Sequence, residues 1–385
     1  MKIIFLIDAY FSKRDYDRFG LNILLKNNIE VYCWDLYKLR HNALSNNGIE
    51  KDVFSGKIKY RVFENFDELS KSYGLADAFL IDQRSGIYKE HTTCWFQERG
   101  AIIIKLDQGL IPSSSQFLSM FDYLIILRNK LLNNGLKKTL TDVVRYIVNR
   151  FIIDSSSKDC YDIKVCSGSV SKCSDGKFEI RSHALDYDIF LQNCTERENH
   201  NQIVFLDSAM TGHPDDQKFS NPPACTEDVY YPLIRSFFDK VESQTGLSVI
   251  VSIHPRLVIN DDVISNYGNR EIVIGESFEL IKGAKLILAH NSTAINFAVL
   301  QGVPLIIFTT NQIERKFYFF MESVSKILKI PRININNSYD NLDFFEIAQR
   351  PLSQYNKFVE KIIKVPGSPV QNSTEILIKG LKKYV

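Results

Sequence analysis

The chain has 385 residues, 45% of them hydrophobic and 24% charged, a composition close to the average soluble globular protein that excludes wholesale disorder. Its length points to two domains of roughly 150–200 residues each. Basic and acidic residues nearly cancel, 47 against 45 for a formal net charge of +2, which excludes a nucleic-acid binder driven by charge.

At the N-terminus the apolar run Lys2–Ile7 meets Asp8 at once, which reads as a buried strand and not a signal peptide. The periodicity then predicts a helix over Phe19–Asn27 and strands over Ile29–Cys33, Ala78–Asp82, Ala101–Leu106 and Tyr123–Leu127. Short continuous apolar runs separated by helical stretches indicate a parallel sheet covered on both faces. Such sheets put their working loops at the carboxyl ends of strands, where Asp8, Asp82 and Asp107 fall. Leu140–Ile153 reads as one amphipathic helix, and the serine- and glycine-rich stretches after it read as loops. A polar run, Glu196–Asn201, marks the domain boundary, giving domains over 1–198 and 199–385, the last helix packing back on the first domain.

The alternation restarts with a strand over Ile203–Leu206. A helix follows over Glu227–Gln244, with Thr226 as N-cap and Gly246 as stop; Pro232 suggests a start a few residues later. Leu247–Ile253, Lys285–His290 and Pro304–Phe308 read as strands. Ser277–Gly283, capped by Ser277, and Thr293–Gln301 read as helices. The fold class is therefore α/β, in two similar halves. No apolar run is long enough for a membrane-spanning helix. The seven cysteines are scattered without a CxxC pair, which suggests reduced thiols in a cytoplasm, or a disulfide between two of Cys160, Cys166 and Cys173.

Three segments of the second half carry chemistry. In Leu286–Ala298 a buried strand stops and the hydroxyls of Ser292 and Thr293 fall at the start of a helix, an arrangement that suits an anion as well as a plain cap. Ser252–Arg256 ends a long strand with His254, and Pro255 stops further ladder bonding. An imidazole there can donate to a phosphate or protonate a leaving group. Between them lies Glu279, a carboxylate suited to ribose hydroxyls or simply to a solvated helix face.

This order of His-Pro, an acidic residue and Ser-Thr before a helix resembles bacterial glycosyltransferases of the GT-B fold, with two Rossmann-like domains facing across a cleft. It is most similar to those using CMP-activated acidic sugars: sialyl- and polysialyltransferases, and transferases of Kdo, pseudaminic or legionaminic acid. The resemblance implies that His254 with Pro255, Ser292 and Thr293 binds the CMP phosphate and that Glu279 holds the ribose. Arg256 would pair with the sugar carboxylate or form a surface salt bridge. Sialyltransferases also carry an acidic-acidic-glycine motif whose leading carboxylate is the general base. Asp107 takes that place here, with Gln108 departing from the second acidic position. The stretch Phe205–Asp215 resembles surface-polysaccharide transferases, among them retaining Kdo enzymes with an aspartate nucleophile, which makes Asp207 the rival catalytic carboxylate. Attack by Asp207 would retain the anomeric centre and a base at Asp107 would invert it.

No cofactor and no metal are expected, since a CMP donor leaves with one phosphate that a histidine and two hydroxyls can serve. Asp215-Asp216 and Asp261-Asp262 read as solvated turn residues. The expected partners are a nucleotide sugar and a glycan acceptor of surface polysaccharide or lipopolysaccharide, with no nucleic acid. A lipid-linked acceptor would be met at the cytoplasmic membrane by the basic tail Lys379–Val385 and by basic residues from Arg128 to Arg150. The alternatives are a transferase with a CDP-glycerol, UDP- or GDP-hexose donor, a UDP-N-acetylglucosamine 2-epimerase type of enzyme, and a non-catalytic glycan-binding module.

Overall fold

The computed structural model describes residues 1–8, 11–40, 57–72, 77–83, 89–108, 128, 161–171, 177–193, 200–213, 222–254, 257, 259–350 and 352–385. The expected strand over 123–127, the helix over 140–153 and most of the basic residues between 128 and 150 lie outside them. Two compact units result. The first takes the described residues of Met1–Leu110, Ile147–Leu191 and Ile363–Val385, and the second those of Ile111–Tyr146 and Gln192–Ile362.

The first unit holds seven strands, β1 (Lys2–Ile7), β2 (Glu30–Asp35), β3 (Lys59–Val62), β4 (Phe79–Asp82), β5 (Ile102–Asp107), β6 (Ile163–Cys166) and β7 (Phe178–Arg181). All pair in parallel in the order β3-β2-β1-β4-β5-β6-β7. The reason is visible in β1. Ile3, Phe5 and Ile7 enter one core while Ile4 and Leu6 enter another on the opposite face. A strand buried on both sides reads as an unbroken apolar run, and a parallel sheet must be covered on both sides. One cover is the helix Ser373–Tyr384, whose Ile376, Leu377, Ile378 and Leu381 complete the core beside Ile3 and Phe5. Asp188 fastens its start by accepting from the Ser373 backbone N–H at 2.8 Å and from the Ser373 hydroxyl.

The second unit holds β8 (Gln202–Leu206), β9 (Ser248–Ile253), β10 (Ile272–Ile274), β11 (Leu286–Ala289), β12 (Leu305–Thr309) and β13 (Arg332–Asn334). These too are all parallel, in the order β10-β9-β8-β11-β12-β13. The connection reverses direction at β8, because β9 and β11 flank it. In open α/β sheets that reversal opens a crevice outside the carboxyl ends of the strands.

Local details differ from expectation. The long helix runs over Glu227–Thr245 with Pro232 inside it, so the proline does not delay its start. Gly246 closes it in the left-handed conformation. Ser277 is not a cap: Glu276 holds that position, and the Ser277 hydroxyl bonds the Ser252 hydroxyl at 2.8 Å instead. The helix expected from Thr293 begins at Ile295 and is only 7 residues long, so Ser292 and Thr293 belong to the turn ahead of it. Cys94 is disulfide-bonded, while Cys33, Cys166 and Cys225 are free. The all-reduced expectation therefore fails at Cys94. No described helix is long and apolar enough to cross a membrane.

Candidate active site

Register explains why distant segments of the second unit meet. Leu206 of β8 lies opposite Ser252 of β9 on one side and Ala289 of β11 on the other. The three strands therefore finish within one residue of each other, and Asp207, His254 and Asn291 follow one or two residues beyond that shared level. They line a cleft of about 310 Å³, toward the small end of ligand pockets. The β8 turn contributes Asp207 to Met210 and His213, β9 contributes His254, and β11 contributes Asn291, Ser292 and Thr293. Ala224 and Phe317 supply apolar wall.

Asp207 is 5% exposed. Its Oδ1 accepts from the Ala209 backbone N–H at 3.1 Å, while Oδ2 has no hydrogen-bond partner. Burial pushes its carboxyl up to about 6, although the backbone N–H groups of Ala209, His254 and Ser208 and the nearby Tyr267 hydroxyl favour the charged form. The turn that holds it is strained: Ala209 has φ +50°, a left-handed conformation that costs a residue with a Cβ about 1–2 kcal/mol. Two more polar atoms of the lining, Ser208 Oγ and Asn291 Oδ1, are buried without a partner. Buried polar groups are rarely left so, and three in one cleft mark a place built for a polar ligand.

The β11 exit is held from beneath by His290, which is fully buried. Its Nδ1 lies 2.7 Å from the Phe308 carbonyl and its Nε2 lies 2.9 Å from the Tyr230 hydroxyl. A carbonyl only accepts, so Nδ1 carries the proton and Nε2 accepts from Tyr230. Desolvation lowers this imidazole to about 4, against the Phe308 bond that favours charge. It stays neutral and anchors the turn carrying Asn291, Ser292 and Thr293. Ser292 Oγ accepts from the Ala294 backbone N–H at 3.3 Å.

Of the residues expected from sequence, Asp207, His254, Ser292 and Thr293 thus share one cleft. Pro255 and Arg256 lie outside the described residues. Glu279, on the helix Ser277–Gly283, is exposed and is not among the residues lining the cleft. Asp107 belongs to the first unit, at the end of β5. There its Oδ2 accepts from Ser171 Oγ at 2.6 Å and pairs with Lys164 Nζ at 3.1 Å. Desolvation opposes the Lys164 charge, but the Asp107 carboxylate outweighs it and raises that amine. Gln108, where the motif has a second acid, is a buried structural amide donating to the His183 carbonyl at 2.9 Å. Among the described residues no group of three His, Cys, Asp or Glu is placed to hold a metal ion. Sequence reasoning passed over His213, Ser208 and Asn291. His213 had a signal, since His213-Pro214 repeats the His-Pro dipeptide of His254-Pro255.

No protein-family profile matches the chain, and no curated protein matches it in sequence. Solved structures do match in fold. The apo UGT2 of Phytolacca americana is similar with a TM-score of 0.51 at 9% identity, over 100% of this chain and 99% of that one. A histidine-to-asparagine variant of the wall teichoic acid polymerase TagF gives 0.53 at 10% identity, over 100% and 89%. The glycotransferase of kitacinnamycin gives 0.50 at 8% identity, over 99% of both chains. With two parallel sheets of Rossmann-type order, the chain has the GT-B fold of glycosyltransferases.

Proposed function

We propose that the protein is a GT-B glycosyltransferase that moves an acidic ulosonic sugar, sialic acid-like or Kdo, from a CMP donor to a surface-polysaccharide or lipopolysaccharide glycan. The observation that carries this reading is the meeting of His254, Ser292, Thr293 and buried Asp207 in one cleft at the strand-order reversal. His254 and the two hydroxyls offer donors to a single phosphate, and stabilising the leaving phosphate this way needs no metal. Asp207 offers the lone pairs of Oδ2 beside them. In the retaining route that carboxylate attacks the anomeric carbon, CMP departs, and an acceptor hydroxyl then displaces the aspartate. In the inverting route Asp107 takes the acceptor proton; its pairing with Lys164 and Ser171 makes Asp207 the better candidate. Glu279 would reach the ribose only where the nucleotide extends beyond the cleft. The exposed Lys379, Lys382 and Lys383 are the surface on which a lipid-linked acceptor would be met.

Calorimetry with CMP, CDP, UDP and GDP tests the donor class. CMP is expected to bind at least as tightly as any diphosphate, and a clear preference for a diphosphate would overturn the CMP assignment. A second reading, transfer from a cytidine diphosphate donor, is favoured by one observation: a TagF variant soaked with CDPG is similar to this chain at a TM-score of 0.51.

A further inference from the structure

We infer that His213 is a second imidazole for the donor phosphate, matched to the negative charge that the phosphate gains as the sugar leaves; this rests on reading the cleft as a CMP-donor site. His213 and His254 reach the cleft from different strand exits, the β8 turn and the end of β9. Their rings nevertheless meet edge to face, with centroids 4.9 Å apart and planes at 65°. Ser292 and Thr293 line the same cleft, as does Asp207, nine-tenths buried with an unpartnered Oδ2.

The number of donors decides the argument. In a CMP-linked sugar the phosphate is a diester with one negative charge, which His254 and two hydroxyls can serve. When the anomeric C–O bond breaks, its electron pair stays on the phosphate oxygen and CMP leaves with close to two charges at neutral pH. The anomeric carbon forms its new bond to the Asp207 carboxylate or to an acceptor oxygen, whose proton passes to a base. A second N–H donor is therefore worth more to the departing phosphate than to the bound donor. That difference accelerates the reaction, where equal binding of both would not. Two ring N–H donors presented side by side to one phosphate gain more from a dianion than from a monoanion.

The test uses the full chain and three probes: cytidine, the 5′-methyl ester of CMP as a phosphate monoanion, and CMP as the dianion at about pH 8. His213→Gln should weaken CMP roughly tenfold or more, the methyl ester much less, and cytidine not at all. The CMP preference over its ester would then narrow. Equal losses for CMP and ester, or no loss for either, would overturn the role of His213. Failure of the unsubstituted chain to bind CMP would instead overturn the CMP reading, and this inference with it. His213 is only half-buried, so the variant should melt with the parent; His213→Asn, tested alongside, should give the same narrowing.

Discussion

Asp207 and His290 stand at neighbouring strand exits and answer acid in opposite senses. The Asp207 carboxyl is held at about 6 against an ordinary 3.8. Between those values the folded chain keeps a proton that the unfolded chain has released. Asp207 therefore lowers stability as pH rises through that window, by roughly 3 kcal/mol once the loss is complete. The His290 imidazole is held at about 4 against 6.5. There the unfolded chain takes a proton that the folded chain refuses, so stability falls as pH drops from 6.5 toward 4. The two slopes oppose each other over most of their range. Asp207→Asn should unmask the His290 slope, its melting temperature climbing more steeply than that of the parent from about pH 4 to 6 and exceeding it at neutrality. His290→Gln should do the reverse. Thermal melts in closely spaced buffers check both, and identical slopes in all three proteins would contradict them. The same Asp207→Asn change should cut turnover by at least about a hundredfold while CMP affinity holds. Asp107→Asn, with turnover compared under the same conditions, tells whether the first-unit carboxylate is needed as well.

Elements obey simpler arithmetic. Pro232 sits exposed inside the helix Glu227–Thr245 and cannot donate to the Asp228 carbonyl. Pro232→Ala restores that bond and should stabilise the protein by about 1–3 kcal/mol. Gly380→Ala would ordinarily favour a helix, but here an added Cβ would lie 2.5 Å from Ile180 Cδ1. Ile180 Cγ1 would also lie only 2.7 Å away, and Ile180 is itself 4% exposed, so the whole side chain would have to shift within the core. Overpacking of about 1–3 kcal/mol should win over propensity and lower the melting temperature. Much of this scale could be read from sequence, because strands such as β1 and β9 are unbroken apolar runs whose burial on both faces leaves one interpretation. Helix starts were harder. Ser277 and Ser292 are both good caps in isolation, yet one hydroxyl is taken by Ser252 and the other lies two residues ahead of the cap position, Ala294. His254, Ser292 and Thr293 could be nominated from sequence because a strand end precedes each. The register that brings Asp207, His213 and Asn291 to them is a long-range property, which no local pattern encodes.

For the whole molecule the consequential fact is that the first unit is assembled from separated pieces of chain, with Ile363–Val385 among them. Ile376, Leu377, Ile378 and Leu381 each contribute roughly 2 kcal/mol of apolar burial. Their sum rivals the 5–15 kcal/mol that usually separates folded from unfolded chains. A chain ending at residue 364 should therefore lose the first unit, with limited proteolysis cutting within 1–191 while 200–350 stays protected; uniform resistance would show that the helix is dispensable. The second unit draws nearly all its described residues from Gln192–Ile362, with Arg128 of Ile111–Tyr146 beside them. On the ribosome this inverts the order of maturation. The described strands of the second unit, Gln202–Leu206 to Arg332–Asn334, all emerge before Ser373–Tyr384 is made, whereas the first unit waits for that helix with an open apolar face and is the part most in need of a chaperone meanwhile.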